Sequence, residues 1–331
     1  MSEPAQHMMQ MITGYWTTQI VGAVATFGVV DHVAQGARTA DAIARACGTE
    51  ARATLRLMRA AVSLGLFTCE GGAYAVTALG ETLGSGAGTM RGMAIAQAAP
   101  GHWLPWGRFS DALRTGTRQT PAALGAEIFE YYGDHADEAA AFSRAMEGLS
   151  AMVARDVVEH VDTRGASRVV DVGGANGTLA IGLLRANAAL SGVVLELPHV
   201  VGGATAAIAS AGLAARCEAV AGDFFEAVPE GDLFLLKQIL HDWDDAQCAK
   251  ILSSCVTAMR PGGRIVIVEQ IIPDESSPSV ATLMDLNMLV MLHGRERTLR
   301  EYDTLLQASG LRVRRVMQTR SPFGVIEAGR I

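Results

Sequence analysis

The sequence predicts an α/β fold, with a helical N-terminal part followed by an open, mostly parallel sheet. Three observations carry this. An apolar, β-branched run at 168–172 leads into a glycine-rich turn and then an apolar helical stretch at 178–186, the pattern of a buried parallel strand and its crossover helix. Six further strand-like runs, at 192–196, 217–220, 233–236, 264–269, 311–316 and 324–328, are for the most part separated by helical patterns. Before residue 165, apolar residues recur at helical spacing with one short hairpin among them.

A chain of 331 residues, half of them hydrophobic, can bury a substantial core and is comfortable for two domains. Its net charge of -7 argues against nucleic acid or an anionic membrane surface as the main partner. Residues 1–10 lack the basic-then-apolar order of a signal peptide, and no apolar run reaches the roughly 18 residues that span a bilayer. The expectation is a soluble, cytoplasmic protein. Five scattered cysteines with no C-x-x-C spacing point to a reduced compartment and to no structural zinc.

Taken in order, residues 8–34 read as one helix, with Ile12, Tyr15, Trp16, Gln19, Ile20 and Ala23 at helical spacing and Gly28 interrupting near its end. Such an apolar element needs a partner to cover it. Thr39 is a candidate N-cap for a helix to Ala46 that Gly48 ends, and a second helix runs over 50–64. Strands at 67–69 and 74–76 pair across Glu70-Gly71-Gly72. Helix, helix and hairpin make a winged helix. Arg52, Arg56 and Arg59 lie on its second helix where a recognition helix carries phosphate contacts, but the acidic balance of the chain favours a solvated or subunit-facing basic stripe. Residues 90–162 are mostly helical, with Trp103, Trp106 and Phe109, and again Phe142, Met146 and Leu149, in stripes of a kind that is usually core. Residues around Gly165 close the long helix. The expected division is 1–90, a helical winged-helix region; 91–164, a helical linker; and 165–331, the sheet domain.

The turn after the first sheet strand holds Gly173, Gly174 and Gly177. Glycines there allow φ > 0 and let a ligand press against main-chain N–H groups, yet the third, helix-packing glycine of G-x-G-x-x-G is missing. Asp171 sits two residues before the first glycine. A carboxylate is favourable beside a cation and unfavourable beside a pyrophosphate, which points to S-adenosyl-L-methionine, a ligand with a sulfonium, an amino group and no phosphate. Glu196 ends the second strand, where an acid accepts hydrogen bonds from ribose hydroxyls. Asp223 and Phe224 follow the third strand and fit the adenine amino group and ring. Three acids at successive strand ends are hard to ascribe to accident.

These segments resemble motif I of the class I methyltransferases, and nearly the whole chain is similar to the small-molecule O-methyltransferases of the caffeic acid and hydroxyindole type, including bacterial members that modify phenazine and polyketide natural products. Ala175 departs from the family, which usually has Gly there. The resemblance implies a Rossmann-like seven-stranded methyltransferase domain with an N-terminal α-helical winged-helix dimerisation domain, a homodimer, S-adenosyl-L-methionine as cofactor and an aromatic small-molecule acceptor. Just past the fourth strand, Leu236-Lys237-Gln238-Ile239-Leu240-His241-Asp242-Trp243 matches the family's Leu-Lys-x-x-x-His-Asp-Trp motif, whose histidine is the general base. A phenol with pKa near ~10 is mostly protonated at neutral pH, whereas an imidazole of pKa about 6.5 is free to take its proton. Glu269 and Glu296 match the carboxylates that orient the family's histidine. Lys237 reaches toward the adenine edge, and Asp242 caps or buttresses the following helix. By the same resemblance Trp103, Phe142 and Met146 touch the acceptor, Asn287 faces it and Met291 forms a pocket wall.

Rival readings stay open at this point. His241, Asp242 and His293 have the composition of a two-histidine, one-carboxylate metal set, although the expectation is no metal. The same fold could methylate carbon or nitrogen, or retain the cofactor for other chemistry. The winged helix could serve a DNA-binding regulator.

Overall fold

A computed structural model describes residues 2–331 except 87, 199 and 276, and of 152 the backbone alone. The chain divides into two compact units, one of residues 1–107 with 121–149 and one of residues 108–120 with 150–331.

In the first unit the N-terminal helical run is broken into three helices, Glu3–Ile12, Gly14–Thr26 and Val29–Ala34, where a single helix over 8–34 was expected. The second break lies at Gly28, which takes φ 61, a left-handed conformation open to glycine and costly for other residues. Helix Ala40–Cys47 starts on Thr39, whose side chain accepts from the Ala42 N–H, and stops at Gly48. Helix Ala51–Ser63 begins on Glu50, whose two carboxylate oxygens accept from the Arg52 and Ala53 N–H groups. Strands β1 (Phe67–Glu70) and β2 (Ala73–Val76) then pair as an antiparallel hairpin, completing the winged-helix arrangement. Val24, Val29, Ile43, Met58, Phe67 and Tyr74 form its core. Arg52, Arg56 and Arg59 are exposed. Helix Glu3–Ile12 buries no residue, and Met8, Met9, Met11, Ile12, Tyr15 and Trp16 all lie open.

The expected run of Trp103, Trp106 and Phe109 along one helix is interrupted. Trp106 ends helix Pro100–Trp106, and Phe109 begins the next, Phe109–Thr115. The long helix ends at His160, before Gly165.

The second unit is built on β3 (Arg168–Val172), β4 (Ser191–Glu196), β5 (Cys217–Ala221), β6 (Gly231–Lys237), β7 (Met259–Ile272), β8 (Arg297–Thr298), β9 (Leu311–Gln318) and β10 (Phe323–Arg330). The seven-membered order is β5-β4-β3-β6-β7-β10-β9, with β8 adding a two-residue parallel pair beside the end of β7. The strands from β5 to β7 are parallel, and β10 runs antiparallel to both β7 and β9. β7 starts before the expected run at 264–269, and Pro261-Gly262-Gly263 form an excursion inside it. Its pairing with β6 shifts register between Gly231↔Met259 and Leu233↔Arg264. Chain order changes direction between β3 and β6, so their carboxyl ends form the crevice in which open α/β sheets bind ligands. Among the described residues no helix is long and apolar enough to cross a membrane.

Candidate active site

The glycine turn lies at that crevice. Helix Thr178–Ala186 follows it, with Gly177 as N-cap at φ 70. A Cβ on Gly173 would fall 2.6 Å from Ile239 Cδ1 and 3.5 Å from Phe224 Cε1, so the bare backbone is needed for this packing. Ala175 also takes a positive φ, of 50, without being glycine.

Each of the three strand-end acids is engaged with this turn or with its own loop. Asp171 is buried, and its Oδ2 accepts the Ala180 N–H at 3.2 Å. Burial raises its carboxyl to about 6; the Ala180 bond and Lys237 lower it in part, and Glu196 pushes it up. Glu196 Oε1 accepts the Ala175 N–H at 2.8 Å, and Oε2 accepts the Leu197 N–H at 2.9 Å. Each oxygen keeps a second lone pair for a hydroxyl. Asp223 is exposed, with Oδ1 on the Phe225 N–H, while Phe224 packs edge-on to Trp243. Lys237 donates to Gln238 Oε1 at 2.7 Å, and burial brings its ammonium down to about 8 against the pull of Glu269, Asp171 and Asp242. A crevice with carboxylates at three strand ends and one weakened lysine repels a pyrophosphate. It fits a ligand offering cationic and hydroxyl donors, as S-adenosylmethionine does.

At the end of β6 the chain passes through Gln238, at φ 51, into a short 3-10 turn, Leu240–Asp242. Three buried side chains meet there. His241 Nδ1 lies 2.7 Å from Glu296 Oε1 and 3.9 Å from Glu269 Oε2. Glu269, at the end of the buried part of β7, accepts with Oε1 the N–H groups of Ile239 and Leu240 at 3.0 Å and of His241 at 3.4 Å. Glu296 is anchored in turn by its own N–H, which donates to Asp285 Oδ1 at 3.0 Å.

Two expectations are corrected here. Asp242 does not cap the following helix. Asp244 does, accepting from the Gln247 N–H at 2.8 Å, and Asp242 Oδ1 lies instead 3.2 Å from His241 Nε2. Nor does His241 keep an ordinary imidazole pKa. Burial lowers it, but Glu269, Asp242 and Glu296 together outweigh burial and raise the ring to about 10. Glu269 is itself raised to about 7, by burial first and by Glu296 and Asp242, with His241 working against them. The cluster therefore favours an imidazolium, with Nδ1 hydrogen-bonded to Glu296 and the Asp242 carboxylate beside Nε2.

The rival metal set does not assemble. His293 Nδ1 lies 3.0 Å from Arg118 Nη1, a cationic neighbour unsuited to a metal ligand. Among the described residues the group with metal-ligand spacing is His241, Glu269 and Glu296, whose Nδ1 and Oε1 already share a hydrogen bond. Of the expected acceptor residues, Asn287 and Met291 lie on helix Val280–Met291 of the second unit, Asn287 half-buried and Met291 buried. Trp103, Phe142 and Met146 belong to the first unit, all half-buried. Phe142 there stacks on Tyr132 and His102. Sequence reading missed Gly294 and Arg297, which flank Glu296 and pack on the 240–243 turn.

Residues 106–312 match the O-methyltransferase domain family, and residues 9–86 match the O-methyltransferase dimerisation domain. A phenazine O-methyltransferase of Lysobacter antibioticus is 35% identical over 324 residues, covering 97% of this chain and 95% of that protein. The crystal structure of LaPhzM superposes with a TM-score of 0.95 at 34% identity, covering all of both chains. The O-methyltransferase NcsB1 from neocarzinostatin biosynthesis, solved with S-adenosylmethionine and 2-hydroxy-5-methyl naphthoic acid, matches with a TM-score of 0.82 at 33% identity over 95% of this chain and 96% of that one. An acid-lined glycine turn, a buried histidine between carboxylates and agreement along the whole chain converge: this chain belongs to the O-methyltransferase family, as an S-adenosylmethionine-dependent enzyme with an N-terminal dimerisation domain.

Proposed function

We propose that this chain methylates a hydroxyl of an aromatic natural product, a phenazine- or naphthoate-like phenol, with His241 taking the hydroxyl's proton. The observation that carries the reading is the buried His241 Nδ1–Glu296 Oε1 hydrogen bond of 2.7 Å, on a turn whose Ile239 packs against Gly173.

S-adenosylmethionine, when bound, supplies an electrophilic methyl on a sulfonium. Asp171, Glu196, Asp223, Phe224, Lys237 and the backbone of 173–177 are the residues put forward to hold it. Glu296 as a carboxylate can only accept, so Nδ1 carries the hydrogen and Nε2 is the nitrogen that receives the acceptor's proton. Glu269 holds the turn through three N–H groups and adds its charge to the protonated ring. A ring raised to about 10 is matched to a phenol of pKa near ~10, so the proton passes between them with little uphill cost. The hydroxyl reaches Nε2 beside Asp242, whose Oδ1 lies 3.2 Å from that nitrogen.

Trp103, Phe142, Met146, Asn287 and Met291 are proposed acceptor contacts, and their substitution should raise KM for the acceptor. The similarity to a phenazine O-methyltransferase and to NcsB1, solved with 2-hydroxy-5-methyl naphthoic acid, supports a planar phenolic acceptor and a place in secondary metabolism. The exposed apolar helix Glu3–Ile12 in the dimerisation domain supports a homodimer in which a second copy covers it.

The test is a mass-spectrometric screen of the purified protein with S-adenosylmethionine against hydroxyphenazines, hydroxynaphthoates and catechols. S-adenosylhomocysteine together with a product heavier by one methyl, on oxygen, supports the reading. Methylation confined to nitrogen or carbon contradicts it.

A further inference from the structure

Arg297 has no exposed surface at all, and its whole guanidinium is spent on the chain that flanks His241. Nη1 donates to Leu240 O at 2.8 Å, and Nη2 donates to Trp243 O at 2.9 Å. Nε and Nη2 also donate to Asp245 Oδ1, at 3.1 and 2.7 Å. The residue just before His241 and the second one after it are thus held by one planar group. Asp245 opens the next helix, so the same fork ties the turn to that helix.

Two neighbours make this arrangement specific. Gly294 lies so close beneath the turn that a Cβ there would collide with His241 O, Asp242 C and Trp243 N. Glu296, one residue before Arg297, makes the hydrogen bond to His241 Nδ1. Residues 294–297 therefore meet the 240–243 turn three times, through a bare backbone, a carboxylate and a guanidinium. The distance between His241 Nδ1 and Glu296 Oε1 depends on where the 3-10 turn sits against this strap, and Arg297 is the strap residue that bonds to carbonyls on both sides of it, sharing Leu240 O and Trp243 O with the weaker thiol donor of Cys248.

We infer that Arg297 is a positioning residue for methyl transfer: its guanidinium fixes the 240–243 turn against the 294–297 strap and so sets the His241–Glu296 hydrogen bond. The inference rests on the reading of His241 as the base, but its structural half stands apart from that reading. A lysine cannot replace the fork, because an ammonium on a flexible stem cannot span two carbonyls and a carboxylate in one plane. The loop would then sample positions displaced from the productive one, and misplacement of a base by about an ångström costs on the order of 10²-fold.

The experiment compares Arg297→Lys, His241→Ala and the double variant, in the full-length enzyme with its cofactor and the best acceptor from the screen. It also follows the downfield proton resonance of the His241 Nδ1–H donated to Glu296. The expected result for Arg297→Lys is a fall in kcat of roughly 10- to 100-fold, with the acceptor KM and the cofactor Kd within about twofold. The His241 resonance should shift or broaden. In the His241→Ala background the same substitution should cost nothing further, because both changes act on one group. Equal losses in both backgrounds, or a wild-type resonance with wild-type kcat, overturn the inference. If His241→Ala alone leaves turnover intact, the base reading fails, and the resonance then decides the clamp: a shift in Arg297→Lys sustains it and an unmoved signal ends it. Arg297→Met, which leaves two buried carbonyls with only the weak thiol donor of Cys248, serves only to confirm the sign through the resonance where that variant folds.

Discussion

Glu269 Oε1 gathers the N–H groups of Ile239, Leu240 and His241, while its Oε2 stands 3.9 Å from the His241 ring. One carboxylate thus both shapes the 239–242 turn and raises the proton affinity of the ring that the turn presents. Replacing it by glutamine keeps the acceptor for the three N–H groups and removes the charge. Glu269→Gln should therefore fold, and its His241 pKa should fall, moving the rising limb of the rate profile to lower pH. A variant with an unchanged profile would show that Glu269 acts through geometry alone.

The raised His241 ring makes a kinetic prediction with a definite sign. A ring held at about 10 is mostly protonated at neutral pH, so the fraction able to accept a proton grows with pH. In the free enzyme, kcat/KM should rise about tenfold per pH unit from 7 toward 9 for a phenol of ordinary pKa. A plateau beginning near pH 7 would mean that the ring titrates as an ordinary imidazole.

Stability should run the other way. His241, Glu269 and Asp171 are all raised above their unfolded values, to about 10, 7 and 6. The folded state binds the extra protons, so each contribution is complete below the unfolded pKa and is lost as pH rises through the folded one. The melting temperature should decline from pH 5 to pH 10. Asp171→Asn should flatten the part below pH 7, a difference that thermal scans at several pH values would detect.

Ala175 occupies a left-handed conformation, φ 50, in the cofactor turn. An L side chain there costs on the order of 1 kcal/mol that glycine avoids. Ala175→Gly should raise the melting temperature by about 2–3 °C without weakening cofactor binding. A lower melting temperature would mean that the methyl group packs more than it strains.

How much of this was legible beforehand depended on whether the signal was local. Strand Arg168–Val172 and helix Thr178–Ala186 have the limits read from sequence, because a β-branched run, a glycine turn and an apolar helix each declare themselves within a few residues. Thr39 and Gly48 bounded their helix for the same reason. The N-terminal helices were merged because the apolar spacing of Ile12, Tyr15 and Trp16 runs straight across the break at Thr13 and Gly14. Asp242 was taken as capping or buttressing the helix because an acid just before a helix reads so until the backbone turns it inward; the cap is Asp244, two residues on. Segment 108–120 groups with the sheet unit through long-range bonds, Gln119 N–H to Val290 O and Thr120 Oγ1 to Met291 O, which no local pattern encodes. Arg297 was invisible as a buried group because arginine is ordinarily exposed. Only its partners, more than fifty residues away, give it a role.

The central claim is that His241 removes the acceptor's proton, and the most direct measurement is turnover of His241→Ala on a series of phenols of graded acidity. Phenols of pKa near ~10 should lose roughly 10²–10⁴-fold in kcat, phenols already ionised at the assay pH should lose little, and cofactor affinity should be unchanged. Undiminished turnover of the weakly acidic phenols would contradict the account and leave proximity alone to carry the reaction.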